Sequence, residues 1–191
     1  MTLTLRALSP DTWDAYADLI ARNGGVWGGC WCMAFHAEGV GKGRTPEGNR
    51  AAKEARVRAG TAHAALVFRG ETCLGWCQYG PPAELPRLKH RKAYEAEGDP
   101  LPDWRITCFY VDKAARGQGV VRAALGGALD LIAAAGGGVV ESMPEATEGR
   151  KVSASFLWNA NLALFEAAGF DRVRKLGQHA WLVRRTVPAR S

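Results

Sequence analysis

The chain has no apolar run approaching the ~18 residues that a membrane-crossing helix needs, so no membrane span is expected. Its opening residues, "MTLTLRALSPDTW", carry no apolar stretch behind a basic one, and no secretory leader is expected. There is no internal repeat and no low-complexity tract. Cysteine is sparse and odd in number, five in 191 residues. Without a leader, that count predicts free thiols in a reducing compartment, hence a cytoplasmic protein. The net charge of +6 suits an anionic ligand, a phosphorylated cofactor or nucleic acid, or else no more than a solvated basic surface. Basic residues are not interleaved with aromatics as in single-strand nucleic-acid binders, so no nucleic-acid partner is expected.

What is present reads as one α/β domain over residues 1–187, with 188–191 as a tail. "LTLRAL" is a strand. "SPDTWDAYADLIARNGG" is a helix that Ser9 caps and Gly24-Gly25 ends. A long irregular stretch rich in Gly and aromatics follows, then a polar helix over "NRAAKEARVRAG". "HAALVFRGETCLGWCQYGPP" is a strand pair turning at Arg69-Gly70-Glu71. "RITCFYV" is a continuous apolar strand, as if buried on both faces. "GQGVVRAALGGALDLIAAAGGG" places Val121, Leu125, Leu129 and Ile132 on one helical face. "VVESMP" is the next strand. "WNANLALFEAAGF" is a helix that Asn159 or Asn161 caps and Gly169 ends. "DRVRKLG" and "HAWLVRRTV" close the chain as strands. Strands joined by short turns pair antiparallel, so the sheet is mixed.

The stretch "VDKAARGQGVV" places Arg116, Gly117, Gln118 and Gly119 at the mouth of a helix that follows a buried strand. Free N–H groups, a positive dipole end and the absence of Cβ atoms make such a place a phosphate cradle. A bare Gly-rich turn has the same pattern. The dinucleotide fingerprint G-x-G-x-x-G fits poorly. Arg122 occupies its third glycine, and the strand ends at Val111, well before Gly117.

Arg116-Gly117-Gln118-Gly119-Val120-Val121 resembles the pyrophosphate loop of the GNAT superfamily of acyl-CoA-dependent N-acetyltransferases, Arg/Gln-x-x-Gly-x-Gly/Ala, with Val121 departing at the last position. "NLALFEAAGF" resembles the late helix of that family. "GCWCM" at residues 29–33 is similar to an early stretch common in one bacterial subgroup. The resemblance covers most of residues 60–187 and, more loosely, residues 1–60. It implies the GNAT fold: a mixed, mostly antiparallel sheet of about seven strands flanked by about four helices and splayed between strands four and five. It implies acetyl-CoA as co-substrate and, as an assembly seen often in the family, a homodimer.

Carried over residue by residue, the resemblance implies that Phe109, Tyr110 and Val111 contact the pantetheine arm, which pairs with the strand-four backbone. Residues Arg116, Gly117, Gln118, Gly119, Val120 and Val121 would hold the pyrophosphate, and Asn161 would face the pantetheine or thioester. The late-helix tyrosine that often serves as acid is here Phe165, which the resemblance still places at the cofactor but which has no proton to give. That leaves Tyr110 as the substitute. Strand four offers no carboxylate between Ile106 and Val111, so Glu141 is the candidate base, a structural ion pair being the alternative. Cys108 is either a wall residue or a nucleophile. Cys30, Cys32 and His36 match no common zinc spacing, so no metal is expected. In this family the early region lines the acceptor pocket. Trp27, Trp31, Met33 and Phe35, with Gln78 on strand three, then form an aromatic-lined site for a small amine. A protein or peptide acetyltransferase and a non-catalytic acetyl-CoA-binding module are the alternatives.

Overall fold

The computed structural model describes residues 2–149, 151–152 and 157–190. Ser191, the end of the expected tail, lies outside the described residues. Seven strands form one sheet: β1 (Thr4–Ala7), β2 (His63–Arg69), β3 (Thr72–Gly80), β4 (Trp104–Val111), β5 (Gly138–Ser142), β6 (Asp171–Lys175) and β7 (Trp181–Val187). Their order is β1-β2-β3-β4-β5-β7-β6. Among the strands of the described residues only β4 and β5 pair in parallel, and their ladder holds two register pairs, Trp104 with Val140 and Arg105 with Glu141. Beyond those pairs the two strands diverge, which is the expected splay.

The helices are α1 (Trp13–Arg22), α2 (Val26–Gly29), α3 (Pro46–Arg58), α4 (Arg91–Glu95), α5 (Val120–Ala134) and α6 (Leu162–Ala167). Four differ from their expected starts: α1 begins at Trp13 after a separate 3₁₀ turn over Pro10–Thr12, and α5 at Val120 with Gly119 as its cap. The polar helix α3 begins earlier, because the Thr45 hydroxyl accepts the Gly48 N–H at 3.0 Å and Pro46 fits the first turn. The late helix α6 begins only at Leu162, because Asn161 is its cap and Ala160 before it has φ +58°.

Alternation along the strands sorts apolar side chains onto two faces. On one, Ala65, Val67, Cys77 and Phe109 meet Val120, Ala124, Leu125, Ala128 and Ile132 of α5. On the other, Leu66, Phe68, Trp76 and Cys108 meet Trp13, Tyr16, Leu19 and Ile20 of α1. Each fully buried aliphatic or aromatic side chain contributes roughly 1.5–3 kcal/mol, so the helices are held by these faces rather than by propensity. All five cysteines are free thiols, four of them buried. Among the described residues no helix is long and apolar enough to cross a membrane.

Gly75 on β3 sits under the junction of β4 and α5. A Cβ there would lie 2.5 Å from the Tyr110 carbonyl oxygen and 2.9 Å from Val120 Cγ1. Both neighbours are fixed by the sheet and the first turn of α5. Gly75→Ala is therefore expected to lower the urea midpoint by the equivalent of about 1–3 kcal/mol. A midpoint equal to wild type would show that the strand and helix do not approach this closely.

Candidate active site

After β4 the chain makes a short 3₁₀ turn, Lys113–Ala115, capped by Asp112, whose Oδ1 accepts the Ala114 N–H at 2.9 Å. Arg22 Nε holds the same carboxylate at 2.8 Å. Gly117 and Gly119 then take φ of +73° and +79°, a region L side chains enter only at a cost. The Gln118 side chain faces away and braces the loop, donating to the Ala114 carbonyl at 2.9 Å and accepting from Arg69 at 2.7 Å. Gly119 is the N-cap of α5, with no side-chain cap and no acidic residue in the first turn. The first N–H groups of a helix have no intrahelical partner. This end of α5 therefore presents free donors and an unbalanced positive dipole.

That terminus opens onto a cavity of about 310 Å³. Its walls include Arg116, Gly117, Gly119, Val120 and Val121 from the loop and Phe109, Tyr110 and Val111 from the end of β4. Eight of the eleven residues expected at the cofactor are thus brought together. The other three are not. Gln118 braces the loop as described. Asn161 caps α6, accepting the Leu164 N–H at 2.9 Å. Phe165 is fully buried between Phe109 and Phe170, with ring centroids at 6.0 and 5.0 Å. The Phe109 N–H, expected to pair with a ligand, donates to the Trp158 carbonyl at 2.7 Å. The chain itself enters the splay at that point.

A second cavity, of about 250 Å³, shares Trp27 with the first. Trp27 and Phe35 line it as expected, together with Trp158, Cys30, Cys32 and Cys108. Trp31 and Met33 do not reach it. Trp31 is buried against Trp13, centroids 5.7 Å apart, and Met33 is fully buried in the core. Four non-glycine residues here, Val26, Trp27, Trp31 and Cys32, have φ between +43° and +48°. Such backbone is costly and persists where surrounding packing dictates it. One such anchor is the Tyr16 hydroxyl, which donates to the Trp31 carbonyl at 3.1 Å.

Tyr110 lines the first cavity, stacked on Trp76 at 5.1 Å with Trp27 edge-on at 5.7 Å. Its hydroxyl is buried and has no hydrogen-bond partner among the described residues, and burial raises its pKa. Glu141, the candidate base, is elsewhere. It is fully buried, with Oε1 3.0 Å from Arg105 Nε and Oε2 3.0 Å from Arg184. Tyr94 adds a hydroxyl at 3.2 Å. Glu141 lines neither cavity. With both carboxylate oxygens engaged by guanidiniums, the geometry matches the ion-pair alternative.

Gln78 lines neither cavity either; it belongs to a buried polar group that sequence reasoning missed. Lys53 is fully buried, with Nζ 3.1 Å from His36 Nε2 and 3.3 Å from Gln78 Oε1. His36 Nδ1 is 3.1 Å from the Glu84 carbonyl. Burial first, then Lys53, lowers the His36 pKa to about 2. Among the described residues Lys53 has no ion pair. No group of His, Cys, Asp or Glu among them is placed to hold a metal ion.

No protein-family model matches the chain, and no curated protein sequence matches it. Solved structures do. One is a GNAT-family protein from Desulfovibrio desulfuricans, 15% identical with TM-score 0.53, covering 97% of this chain and 99% of that one. A mosquito arylalkylamine N-acetyltransferase like 5b is 14% identical with TM-score 0.56, covering 97% and 100%. The PaiA N-acetyltransferase of Thermoplasma acidophilum, in complex with coenzyme A, is 10% identical with TM-score 0.55, covering 97% and 99%. Over nearly its whole length, and with its sheet splayed between β4 and β5, the chain has the fold of the GNAT-family N-acetyltransferases.

Proposed function

We propose that the protein transfers the acetyl group of acetyl-CoA to the amine of a small molecule. The observation that carries this reading is the α5 terminus: free of any cap or acid, flanked by Arg116, and open to a cavity that continues along Phe109–Val111. A diphosphate suits that chemistry. The backbone N–H groups from Gly117 to Val121 bind it, and Arg116 adds a charge-assisted contact. Acetyl-CoA supplies an activated carbonyl with a thiolate leaving group. Tyr110, whose pKa burial raises, keeps its proton at neutral pH and is the candidate to donate it to the departing sulfur. The apolar cavity beyond Trp27 takes the acceptor, and its size favours a small molecule over a peptide. The domain is read as residues 1–187.

Thermal unfolding with and without millimolar acetyl-CoA tests this. At one hundred times its dissociation constant a ligand of the folded state contributes roughly 2.7 kcal/mol. Gly119→Glu is expected to abolish the shift, since it places a carboxylate at the donors. Gly60→Glu, at another left-handed glycine with φ +69°, controls for backbone strain and should keep it. No shift in wild type would end the reading.

A second reading, an acetyl-CoA-binding module without turnover, is favoured by one observation. Among the described residues no carboxylate lines either cavity. Saturable binding with no acetylated product across a broad amine panel would select it.

A further inference from the structure

Resting on the acetyl-transfer reading, we propose that the acceptor is a weakly basic aromatic amine, neutral at physiological pH, and not an alkylammonium. The cavity beyond Trp27 presents aromatic walls from Trp27, Phe35 and Trp158 and a thiol floor from Cys30, Cys32 and Cys108. None of these side chains carries negative charge. Burial pushes Cys30 up to about 12 and raises Cys32 well above the ordinary thiol range, so these two stay protonated.

Among the described residues no acidic side chain lines the cavity, and the group behind its floor is a lysine whose pKa burial lowers. Lys53 is fully buried behind the floor, close enough to Cys30 and Cys32 to act on both thiols. The carboxylates of this region are already taken: Glu38 by Arg56, Glu84 by His63 and Glu145 by Lys89. An alkylammonium entering here would lose its hydration and find no counter-charge. Nor would it find a base to deprotonate it. An alkylamine titrating like lysine, with a pKa near 10.4, is only about 0.1% neutral at pH 7.4.

An arylamine avoids both costs. Its lone pair is delocalised into the ring, so the nitrogen is neutral in water and enters without shedding a proton. Its ring packs against the aromatic walls in the offset and edge-on geometries such rings prefer. A dry apolar cavity of roughly 150 Å³ already takes benzene, so about 250 Å³ holds one substituted ring. In the transfer the nitrogen lone pair forms the C–N bond to the acetyl carbon and the C–S bond breaks. The proton lost from nitrogen is balanced by the one gained on the coenzyme A sulfur, with Tyr110 the candidate donor.

p-Toluidine and benzylamine are isomers of nearly equal size that differ in basicity, so they form the test pair. Acetylated product is measured chromatographically with purified protein and acetyl-CoA. At pH 7.5, kcat/KM is expected to favour p-toluidine by about a hundredfold. The p-toluidine rate should be flat from pH 7 to 9, while any benzylamine rate climbs about tenfold per pH unit. Val40→Asp, which adds a carboxylate at an exposed position of the cavity wall, should narrow the preference. Cys30→Asp is the second variant if the first does not fold. Equal or reversed preference in wild type overturns the inference. So does turnover of neither isomer by a protein whose acetyl-CoA thermal shift is intact. Loss of that shift would overturn the cofactor reading itself, a separately visible result.

Discussion

Glu141→Ala is expected to cost about 3–5 kcal/mol, a large part of a typical domain's 5–15 kcal/mol. The cost arises in the partners. Arg105 is 4% exposed, and with Glu141 gone its guanidinium keeps only the Leu85 carbonyl at 3.1 Å and the Tyr94 hydroxyl at 3.3 Å. A buried cation stripped of its counter-charge is far more expensive than the pair was favourable. The loss would be felt across the sheet, because Glu141 stands opposite Arg105 on β4 and Arg184 on β7. It thereby ties the two halves of the sheet together where the β4–β5 ladder is shortest. Urea unfolding measures the effect, with Glu141→Gln as the isosteric companion. A variant with wild-type midpoint and no turnover would reverse the assignment and make Glu141 part of the chemistry.

Acidification from pH 6.5 to pH 5 is expected to remove roughly 1–2 kcal/mol of stability through His36 alone. The imidazole is fully buried between the Lys53 ammonium and the Glu84 carbonyl, with Arg56 and His63 nearby. Lys53 can only donate, so His36 Nε2 accepts and Nδ1 carries the proton toward Glu84. The folded pKa of about 2 lies below the ordinary 6.5, so between those values the unfolded chain binds the extra proton. Stability is therefore complete above pH 6.5 and is lost as pH falls through that window. His90, lowered by burial and by Lys89, acts in the same sense. The test is the difference in unfolding free energy between pH 6.5 and pH 5 in wild type, His36→Gln and His90→Gln. The His36 variant should lose most of the slope, and an unchanged slope would overturn the account.

Much of the fold was legible because its signals are local. The apolar run "RITCFYV", the Arg69-Gly70-Glu71 turn and the Arg116–Gly119 approach to α5 each depend on residues adjacent in sequence. The loop half of the site was read for the same reason. The other half depends on what meets across the sheet. Nothing near Phe165 announces that Phe109 and Phe170 will enclose it, and Glu141 meets Arg105 and Arg184 only through strand pairing. The stretch from Val26 to Cys32 misled most. Its left-handed residues include Gly28 and Gly29, which permit that backbone, but also Val26, Trp27, Trp31 and Cys32, types with no preference for it, so local chemistry carried no sign of which rings would turn inward. Trp27 and Phe35 reached the cavity while Trp31 and Met33 went to the core. Lys53 read as one more charge on a polar helix, and its burial follows from tertiary packing alone.

The Trp158 carbonyl on the Phe109 N–H bears on how a cofactor would gain affinity. A pantetheine amide arriving at β4 would exchange one amide hydrogen bond for another, and an exchange of like for like nets close to zero where a new bond yields about 0.5–1.5 kcal/mol. Binding strength would then rest on the diphosphate end of the ligand, at the α5 terminus and Arg116. Ionic strength is the natural probe of that division. An affinity carried by charge weakens steeply as salt shortens the Debye length from ~30 Å at 0.01 M to ~8 Å at 0.15 M, whereas one carried by the strand would hardly notice.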